Sequence, residues 1–329
     1  MHLSVLLRSW IPVFAGMTVL ALPVFGIDLP AGVAASRLNT EVRWKGFQTL
    51  TPSERPRVIL VLGGGGAKGL SHIGVLRVLR EERIPIDEVV GVSVGALIGA
   101  VYSAGLTDID LENMANEIGW NKLTNVSRVS AVKMLLSDEL LSTGGMESYL
   151  KQRIGDKMFG DLLIPFSCVA TDIRTGERVF MKEGSVAFAA RASATIPGVF
   201  KPVPYRQRLL VDGGLVDNLP TDVVFPRAGY DVIIAVLPKA DKIPSENLNV
   251  FRSLMRAIEI QGAVIMKDNR KAADVLIEPE VGDVGITDLR RSRECIEAGT
   301  LATRKAALEI KDLLVDRYVA RRRQAGVPR

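Results

Sequence analysis

Hydrophobic and polar positions follow two alternating patterns from residue 57 onwards. Residues 57–62 form an almost continuous apolar run, which predicts a short buried strand. Apolar residues then recur at helical spacing over residues 71–83, which predicts a helix with one buried side. A second apolar run begins at Val89 and is followed by a run of small apolar residues. This succession of strand, helix, strand and helix predicts an α/β fold with a mainly parallel sheet covered on both faces.

The same patterns continue towards the C-terminus. They predict a helical region over residues 107–157, strands at 163–172, 178–181, 209–211, 232–236 and 275–277, and helices at 186–194, 250–267 and 291–323. We therefore expect a core domain over residues 57–240, with residues 241–329 packed on the same domain. Residues 36–56 are polar and contain prolines, and we interpret them as a linker.

Residues 1–35 have the pattern of a targeting segment. An apolar run over residues 10–27 follows a basic residue and precedes small residues, which is typical of a secretory signal with cleavage near Ala35. This predicts export, to the periplasm or to a membrane. Pro12 and Pro23 make a permanent transmembrane anchor the second interpretation. A third is that synthesis starts further downstream, in which case the protein is cytoplasmic.

Composition removes several classes of function. The net charge is only +5 and 5% of the 329 residues are aromatic, so no basic stripe with interleaved aromatics indicates nucleic-acid binding. The two cysteines, Cys168 and Cys295, lie far apart, which argues against a cysteine metal site and leaves at most one disulfide. No ligand cluster indicates a metal or another cofactor. The only histidines are His2 and His72, so a histidine-based catalytic triad has few candidates.

The first chemical motif is an elbow at residues 91–95. Gly91-x-Ser93-x-Gly95 lies between a predicted strand and a predicted helix, which is the spacing of a nucleophile elbow. The turn requires glycine at both flanks because backbone segments approach closely there. The following helix directs its N-terminus at Ser93, which favours developing negative charge. The alternative is a glycine-rich loop without chemistry.

The second motif is a glycine loop at residues 64–69, after the first strand. A dinucleotide site requires an acidic residue at the end of the next strand, but Asp87 and Glu88 precede that strand. A Walker loop fails because Lys68 is followed by glycine. The remaining interpretation is an oxyanion hole of converging backbone N–H groups. The predicted oxyanion loop consists of Gly64, Gly65, Gly66, Ala67, Lys68 and Gly69.

Ser93 needs a group that accepts its proton. His72 lies in the helix after the glycine loop, where a packed or capping histidine is the ordinary interpretation. Asp212 ends a predicted strand and is followed by Gly213 and Gly214, so it is presented at the same edge of the sheet as the elbow. The alternative for this Asp-Gly-Gly motif (residues 212–214) is an ordinary turn.

Together, the glycine loop, the elbow and the Asp-Gly-Gly motif occur in an order that resembles the patatin-like phospholipases. Further likeness is found at residues 170–172, 175–177, 192–194 and 196–200, and the resemblance covers roughly residues 57–240. It implies a three-layer α/β/α domain and hydrolysis of lipid acyl esters by a Ser93–Asp212 dyad. Gly214 stands where many members have alanine, a change that we expect to be harmless.

The resemblance implies a reaction through an acyl-serine intermediate without a cofactor. The expected substrate is a phospholipid or another fatty-acyl ester, so we expect contact with a membrane surface. Lys68 is expected to shape the loop or to balance charge near the site, with a solvated loop lysine as the alternative, and Asp172 is expected to be structural. The basic tail at residues 317–323 either meets anionic head groups or is a solvated helix end. The competing hypotheses are a nucleotide-binding protein using the glycine loop and a catalytically silent lipid-binding member.

Overall fold

The computed structural model describes residues 31–117, 141–222, 232–239, 250–285 and 288–324. Most of the predicted leader, and the middle of the helical region expected at residues 107–157, lie outside these ranges. Among the described residues, no helix combines the length and apolar character needed to cross a membrane.

The described strands form one eight-stranded mixed sheet. They are β1 (Val58–Leu62), β2 (Glu88–Val92), β3 (Phe166–Asp172), β4 (Arg178–Met181), β5 (Val203–Tyr205), β6 (Arg208–Asp212), β7 (Val232–Val236) and β8 (Val275–Ile277). The order is β5-β6-β3-β2-β1-β7-β8, with β4 paired to β3. From β3 through β2, β1 and β7 to β8 the strands run parallel. β5 is a strand that the sequence analysis did not predict.

Among the described residues, eight helices cover this sheet on both faces. They are α1 (Ala31–Phe47), α2 (Ser71–Glu81), α3 (Val94–Ser103), α4 (Asp108–Glu117), α5 (Gly144–Ile154), α6 (Val186–Ser193), α7 (Val250–Ala272) and α8 (Ser292–Gln324). Val58, Leu60 and Leu62 of β1 belong to the core that contains α2, α3 and α8. Ile59 and Val61 belong to a second core with Met266 of α7. The predicted three-layer α/β/α fold is therefore confirmed, and burial on both faces explains the continuous apolar strands.

Strand β3 joins the parallel and antiparallel parts of the sheet. Along residues 168–169 it pairs with both β2 and β4, and along residues 170–171 it pairs with both β4 and β6. Because a strand has only two edges, β2 and β6 share the edge opposite β4. β6 therefore continues along this edge of β3 beyond the point where β2 ends.

Helix α1 corrects the expectation of a linker over residues 36–56. Trp44 and Phe47 are buried in the core, and the helix packs against α8. Its polar residues are paired across that interface: Glu41 forms a 2.7 Å ion pair with buried Lys311, and Thr40 donates to Asp312. These pairings could not be predicted from the polar sequence of the segment, because the partners lie about 270 residues away in the chain.

The basic tail at residues 317–323 belongs to the end of α8. Arg317 forms a 2.7 Å ion pair with Asp274, and Arg321 donates a hydrogen bond to the carbonyl of Arg55. Both contacts attach the helix end to the domain, which favours the interpretation of the tail as a helix end. Cys168 and Cys295 are separate buried thiols, so they form no disulfide.

Candidate active site

Ser93 occupies a strained turn between β2 and α3. Its φ and ψ are 55° and −124°, a conformation that non-glycine residues rarely adopt. The flanking glycine is required by close packing, because a Cβ on Gly95 would meet the carbonyl oxygen of Leu62. Ser93 is also the N-cap residue of α3, at the positive end of that helix. The predicted elbow thus has the geometry that exposes a serine hydroxyl at the end of a strand.

The register of β3 brings Asp212 to this serine. β2 ends with Val92 opposite Val169, and Ser93 is the next residue. Asp212 is the last residue of β6 and pairs with Ala170, one position further along β3. Because β2 and β6 share one edge of β3, the two side chains emerge at the same point of the sheet.

The two side chains are directly hydrogen-bonded. Ser93 Oγ donates to Asp212 Oδ2 at 2.6 Å, and the Gly214 N–H donates to Asp212 Oδ1 at 2.8 Å. The backbone of Asp212 is held as well, since its carbonyl accepts from Thr171 Oγ1 at 2.9 Å and its N–H donates to the Thr195 carbonyl at 2.8 Å. Both carboxylate oxygens therefore have fixed partners, and one of these partners is the serine hydroxyl.

Burial raises the pKa of Asp212 from its ordinary 3.8 to about 6. Hydrogen bonds from Ser93 and Gly214 act in the opposite direction but do not offset the loss of water. Only 8% of the residue is exposed. The carboxylate is consequently a stronger base than a solvated aspartate, yet it remains ionised at neutral pH.

Ser193 stabilises the elbow through two hydrogen bonds. Its hydroxyl accepts the Ser93 N–H at 2.9 Å and donates to the Val169 carbonyl at 2.6 Å. The hydroxyl thereby connects the residue after β2 to the neighbouring strand β3. In the sequence, residues 192–194 stand out only as part of the family likeness, and no role was predicted for Ser193.

The structure corrects the prediction for Gly64 in the glycine loop. Its N–H donates to Asn218 Oδ1 at 3.0 Å and is therefore already used. In the part of the chain that the structure describes, the N–H groups of Gly65 and Gly66 donate to no acceptor. Both residues border the cavity that contains Ser93, and a 3-10 helix begins at Gly66, which has a φ of 57°. They are the better-placed donors of the predicted oxyanion hole.

The other residues of the predicted oxyanion loop have structural roles that fix the conformation of the loop. The Ala67 side chain is buried in the core, and Gly69 packs so closely on α3 that a Cβ there would meet Val94. Lys68 is almost fully buried and borders the cavity. Gly91 and Gly213 are likewise positions of close backbone approach, against Ala96 and Val169. Close packing at these glycines fixes the geometry of the site.

His72 is a structural residue of the loop. It is fully buried, and its Nε2–H donates to the Gly63 carbonyl at 2.8 Å. Burial lowers its pKa to about 4, so the imidazole is neutral at pH 7. The described hydrogen bonds place Asp212, not His72, against Ser93. The packed histidine expected from the sequence is what the structure contains.

Ser93 and Asp212 open into a cavity of about 370 Å³. Its walls are formed by the glycine loop, by apolar residues such as Ile196 and Leu215, and by α7 through Ala263 and Met266. A volume of this size is sufficient for part of a fatty-acyl chain or a small ligand. The contribution of α7 to the site was not predicted from the sequence.

Comparison with known proteins identifies the family. A family model for patatin-like phospholipases matches residues 60–225, half of the chain, including the glycine loop, Ser93 and Asp212. The chain belongs to the patatin-like phospholipase family. A patatin-like phospholipase domain-containing protein of Caenorhabditis elegans, ZK370.4, is 38% identical over 169 residues, which are 50% of this chain and 12% of that protein.

With other proteins, the similarity extends beyond this patatin-like core. An uncharacterized NTE family protein of Mycobacterium tuberculosis is 29% identical over 283 residues, covering 78% of this chain and 47% of that protein. The chain thus spans less than half the length of these two relatives. VipD from Legionella pneumophila has a TM-score of 0.47 at 16% identity, covering 79% of this chain and 67% of VipD. Human GIVD cytosolic phospholipase A2 has a TM-score of 0.47 at 12% identity, covering 88% and 65%.

Proposed function

We propose that this protein is a lipid acyl-ester hydrolase that uses Ser93 as nucleophile and Asp212 as general base. The observation that supports it most directly is the 2.6 Å hydrogen bond from Ser93 Oγ to Asp212 Oδ2, inside a cavity bordered by the glycine loop. Membership of the patatin-like phospholipase family supports the same class of reaction. The raised pKa of Asp212 suits a base that works without histidine.

The proposed reaction has two acyl-transfer steps. Asp212 Oδ2 takes the hydroxyl proton as Ser93 Oγ attacks the ester carbonyl, and the N–H groups of Gly65 and Gly66 stabilise the oxyanion. The ester bond then breaks, the leaving alcohol takes the proton from Asp212, and an acyl-Ser93 remains. Water attacks this acyl group with Asp212 again as base, which releases the fatty acid and restores the Ser93 hydroxyl.

The cavity supports a substrate with an apolar chain and an anionic head group. Apolar residues form much of the wall near Ser93, as expected for an acyl chain. Cationic side chains also border the cavity, and a phosphate would meet them. They are Lys68, Lys239, Arg256 and Arg270. Arg270 is paired with Glu278 and Lys239 with Glu280, so the cationic character is partly balanced by neighbouring carboxylates.

The proposed function predicts release of free fatty acid from lipid. Purified full-length protein should release fatty acid from phospholipid vesicles and from a soluble short-chain ester, measured by mass spectrometry of the products, with Ser93→Ala as the blank. Turnover by the wild type alone would support the proposal. Equal release by both proteins would contradict it. Thermal stabilisation by nucleotides without turnover would instead favour the nucleotide-binding hypothesis for the glycine loop.

Contact with a lipid surface is part of this proposal, and α7 supports it. The helix lines the cavity on one side and exposes apolar residues on the other, where Ile260 and Val264 are 54% and 73% exposed. Ile265 beside them is also exposed. An exposed apolar face on a helix whose other side lines the cavity suits insertion into the boundary of a lipid layer.

Val264→Asp tests this surface. We expect fatty-acid release from vesicles to fall by about 10-fold, because a carboxylate cannot enter the apolar boundary. Hydrolysis of the soluble ester should be unchanged. Leu301→Asp is the matched control, since Leu301 is 58% exposed on α8 and does not border the cavity. An equal loss on both substrates, or in both variants, would argue against α7 as the lipid contact.

A further inference from the structure

Asn218 connects two of the three motifs at the cavity. Its Oδ1 accepts the Gly64 N–H at 3.0 Å. Because that partner is a donor, the oxygen of the amide, and not the nitrogen, must face the glycine loop. Asn218 also borders the cavity that contains Ser93 and Asp212. Its Nδ2 group donates to no residue that the structure describes.

The amide oxygen lies in a space that two glycines leave open. A Cβ added to Gly64 would meet Asn218 Oδ1 and would lie 3.1 Å from the Cβ of Ser93. A Cβ added to Gly214 would lie 2.9 Å from the same oxygen and 3.1 Å from Asp212 Oδ1. Asn218 Oδ1 therefore lies between the glycine loop and the Asp-Gly-Gly motif, close to both members of the hydrogen-bonded pair.

The backbone around Asn218 is anchored from behind. The preceding residue, Asp217, is buried, and its carboxylate accepts from the Leu219 N–H at 3.3 Å and from Asn269 Nδ2 at 3.0 Å. Arg178 adds a 2.5 Å ion pair to the same carboxylate. Because the backbone of this segment is fixed by these contacts, the Asn218 amide keeps its position when the glycine loop binds the substrate.

We propose that Asn218 is a positioning residue for acyl transfer. By holding Gly64, it fixes the next two residues, Gly65 and Gly66, so that their N–H groups point at the developing oxyanion. This inference rests on the proposed function, because the oxyanion forms only if Ser93 attacks an acyl ester. It assigns Gly64 the role of an anchor and leaves the electrostatic role to the two glycines after it.

Kinetics of two substitutions test the role of the amide. Asn218→Ala removes the acceptor, and we expect kcat on a soluble ester to fall about 10- to 100-fold with KM within about threefold. Asn218→Asp keeps an acceptor but adds a carboxylate near Asp212, so the acidic limb of its kcat/KM profile should move to higher pH. Asn116→Ala is the matched control, since the Oδ1 of that amide also accepts one hydrogen bond, from Ser292 Oγ at 3.2 Å, and the residue does not border the cavity. A kcat loss no larger in Asn218→Ala than in Asn116→Ala would overturn the proposal.

Hydrogen exchange tests the anchor without relying on activity. In the full-length protein, exchange in the segment covering residues 63–70 should accelerate about 10-fold or more in Asn218→Ala and stay unchanged in Asn116→Ala. Unchanged exchange in Asn218→Ala would overturn the positioning role even if the wild type is active. Absence of Ser93-dependent turnover in the wild type would instead refute the proposed function, so the two failures are distinguishable.

Discussion

Ser93→Ala should abolish both ester turnover and labelling by a fluorescent fluorophosphonate, with kcat reduced by about 10⁴-fold or more. The substitution removes the oxygen that would form the acyl-enzyme and leaves Asp212 without a hydroxyl to deprotonate. Alanine requires the same strained backbone at φ 55°, so the elbow itself is not relaxed by the change. The loss is therefore attributable to chemistry, and an unchanged melting temperature would verify that the fold is intact.

Ser167→Ala is a matched control for this experiment. Ser167 is a buried serine on β3, and its hydroxyl has no hydrogen-bond partner among the described residues. It does not border the cavity. We expect its turnover and labelling to stay within about twofold of the wild type. Labelling of Ser93→Ala at the wild-type level would mean that another residue is the nucleophile.

Features that depend on neighbouring residues were predictable from the sequence. The spacing of Gly91, Ser93 and Gly95 defines a turn whose backbone contacts leave few alternatives, and the structure contains that turn. The apolar runs of β1 and β7 are continuous because both faces of the parallel sheet are covered. Local sterics and burial act over a few residues, which is why these elements are visible in the sequence.

Features that depend on distant pairing were not predictable from local patterns alone. The hydrogen bond between Ser93 and Asp212 joins residues 119 positions apart in the chain. It forms because β6 pairs with the same edge of β3 as β2, beginning where β2 ends. No local pattern encodes that exchange of partners. The motif order that resembles the family indicated the pairing of Ser93 and Asp212, but it gave no sign that Asn218 would occupy the N–H of Gly64. Helix α1 was missed for the same reason, since its polar residues are satisfied by α8.

The acidic limb of the pH profile should report the titration of Asp212. As a general base, the carboxylate must be ionised, and burial raises its pKa to about 6. We expect kcat/KM to be constant at neutral pH and to fall about tenfold per pH unit below about 6. An acidic limb near pH 4 would show that the limiting carboxylate has an ordinary pKa, which would contradict a buried Asp212 with a raised pKa as the base.

Asp212→Asn should reduce kcat by about 10²- to 10⁴-fold and at the same time stabilise the protein at neutral pH. The amide keeps the size of the side chain and an oxygen for the Gly214 N–H, but it turns a donor instead of an acceptor towards Ser93 Oγ. A group that cannot accept the proton leaves the serine unactivated. The activity loss is thus expected without disruption of the fold.

The effect on stability follows from the raised pKa of Asp212. Below pH 3.8 the carboxyl is protonated in the folded and unfolded states, and folding is not penalised. As the pH rises to about 6, the unfolded chain gives up its proton and the folded protein retains it, so the free energy of unfolding decreases by up to about 3 kcal/mol. The amide of the Asp212→Asn variant does not titrate. The variant should therefore unfold at higher temperature than the wild type at pH 7, with the difference vanishing near pH 4.

Asp172→Asn is the matched control, which tests whether the effects of Asp212→Asn on stability and activity are common to buried aspartates of the sheet. Burial alone would raise the pKa of Asp172 too, but hydrogen bonds from the N–H groups of Arg174 and Leu209, together with Thr175 and the charge of Arg208, hold that pKa below the ordinary value. Its ionised form therefore stabilises the fold, and Asp172→Asn should lower the melting temperature at pH 7 while kcat stays within about threefold. The two substitutions are chemically identical. Opposite changes in melting temperature, together with loss of turnover only in Asp212→Asn, would therefore identify Asp212 as the functional carboxylate whose burial destabilises the fold. A common response of both variants would instead assign Asp212 a structural role.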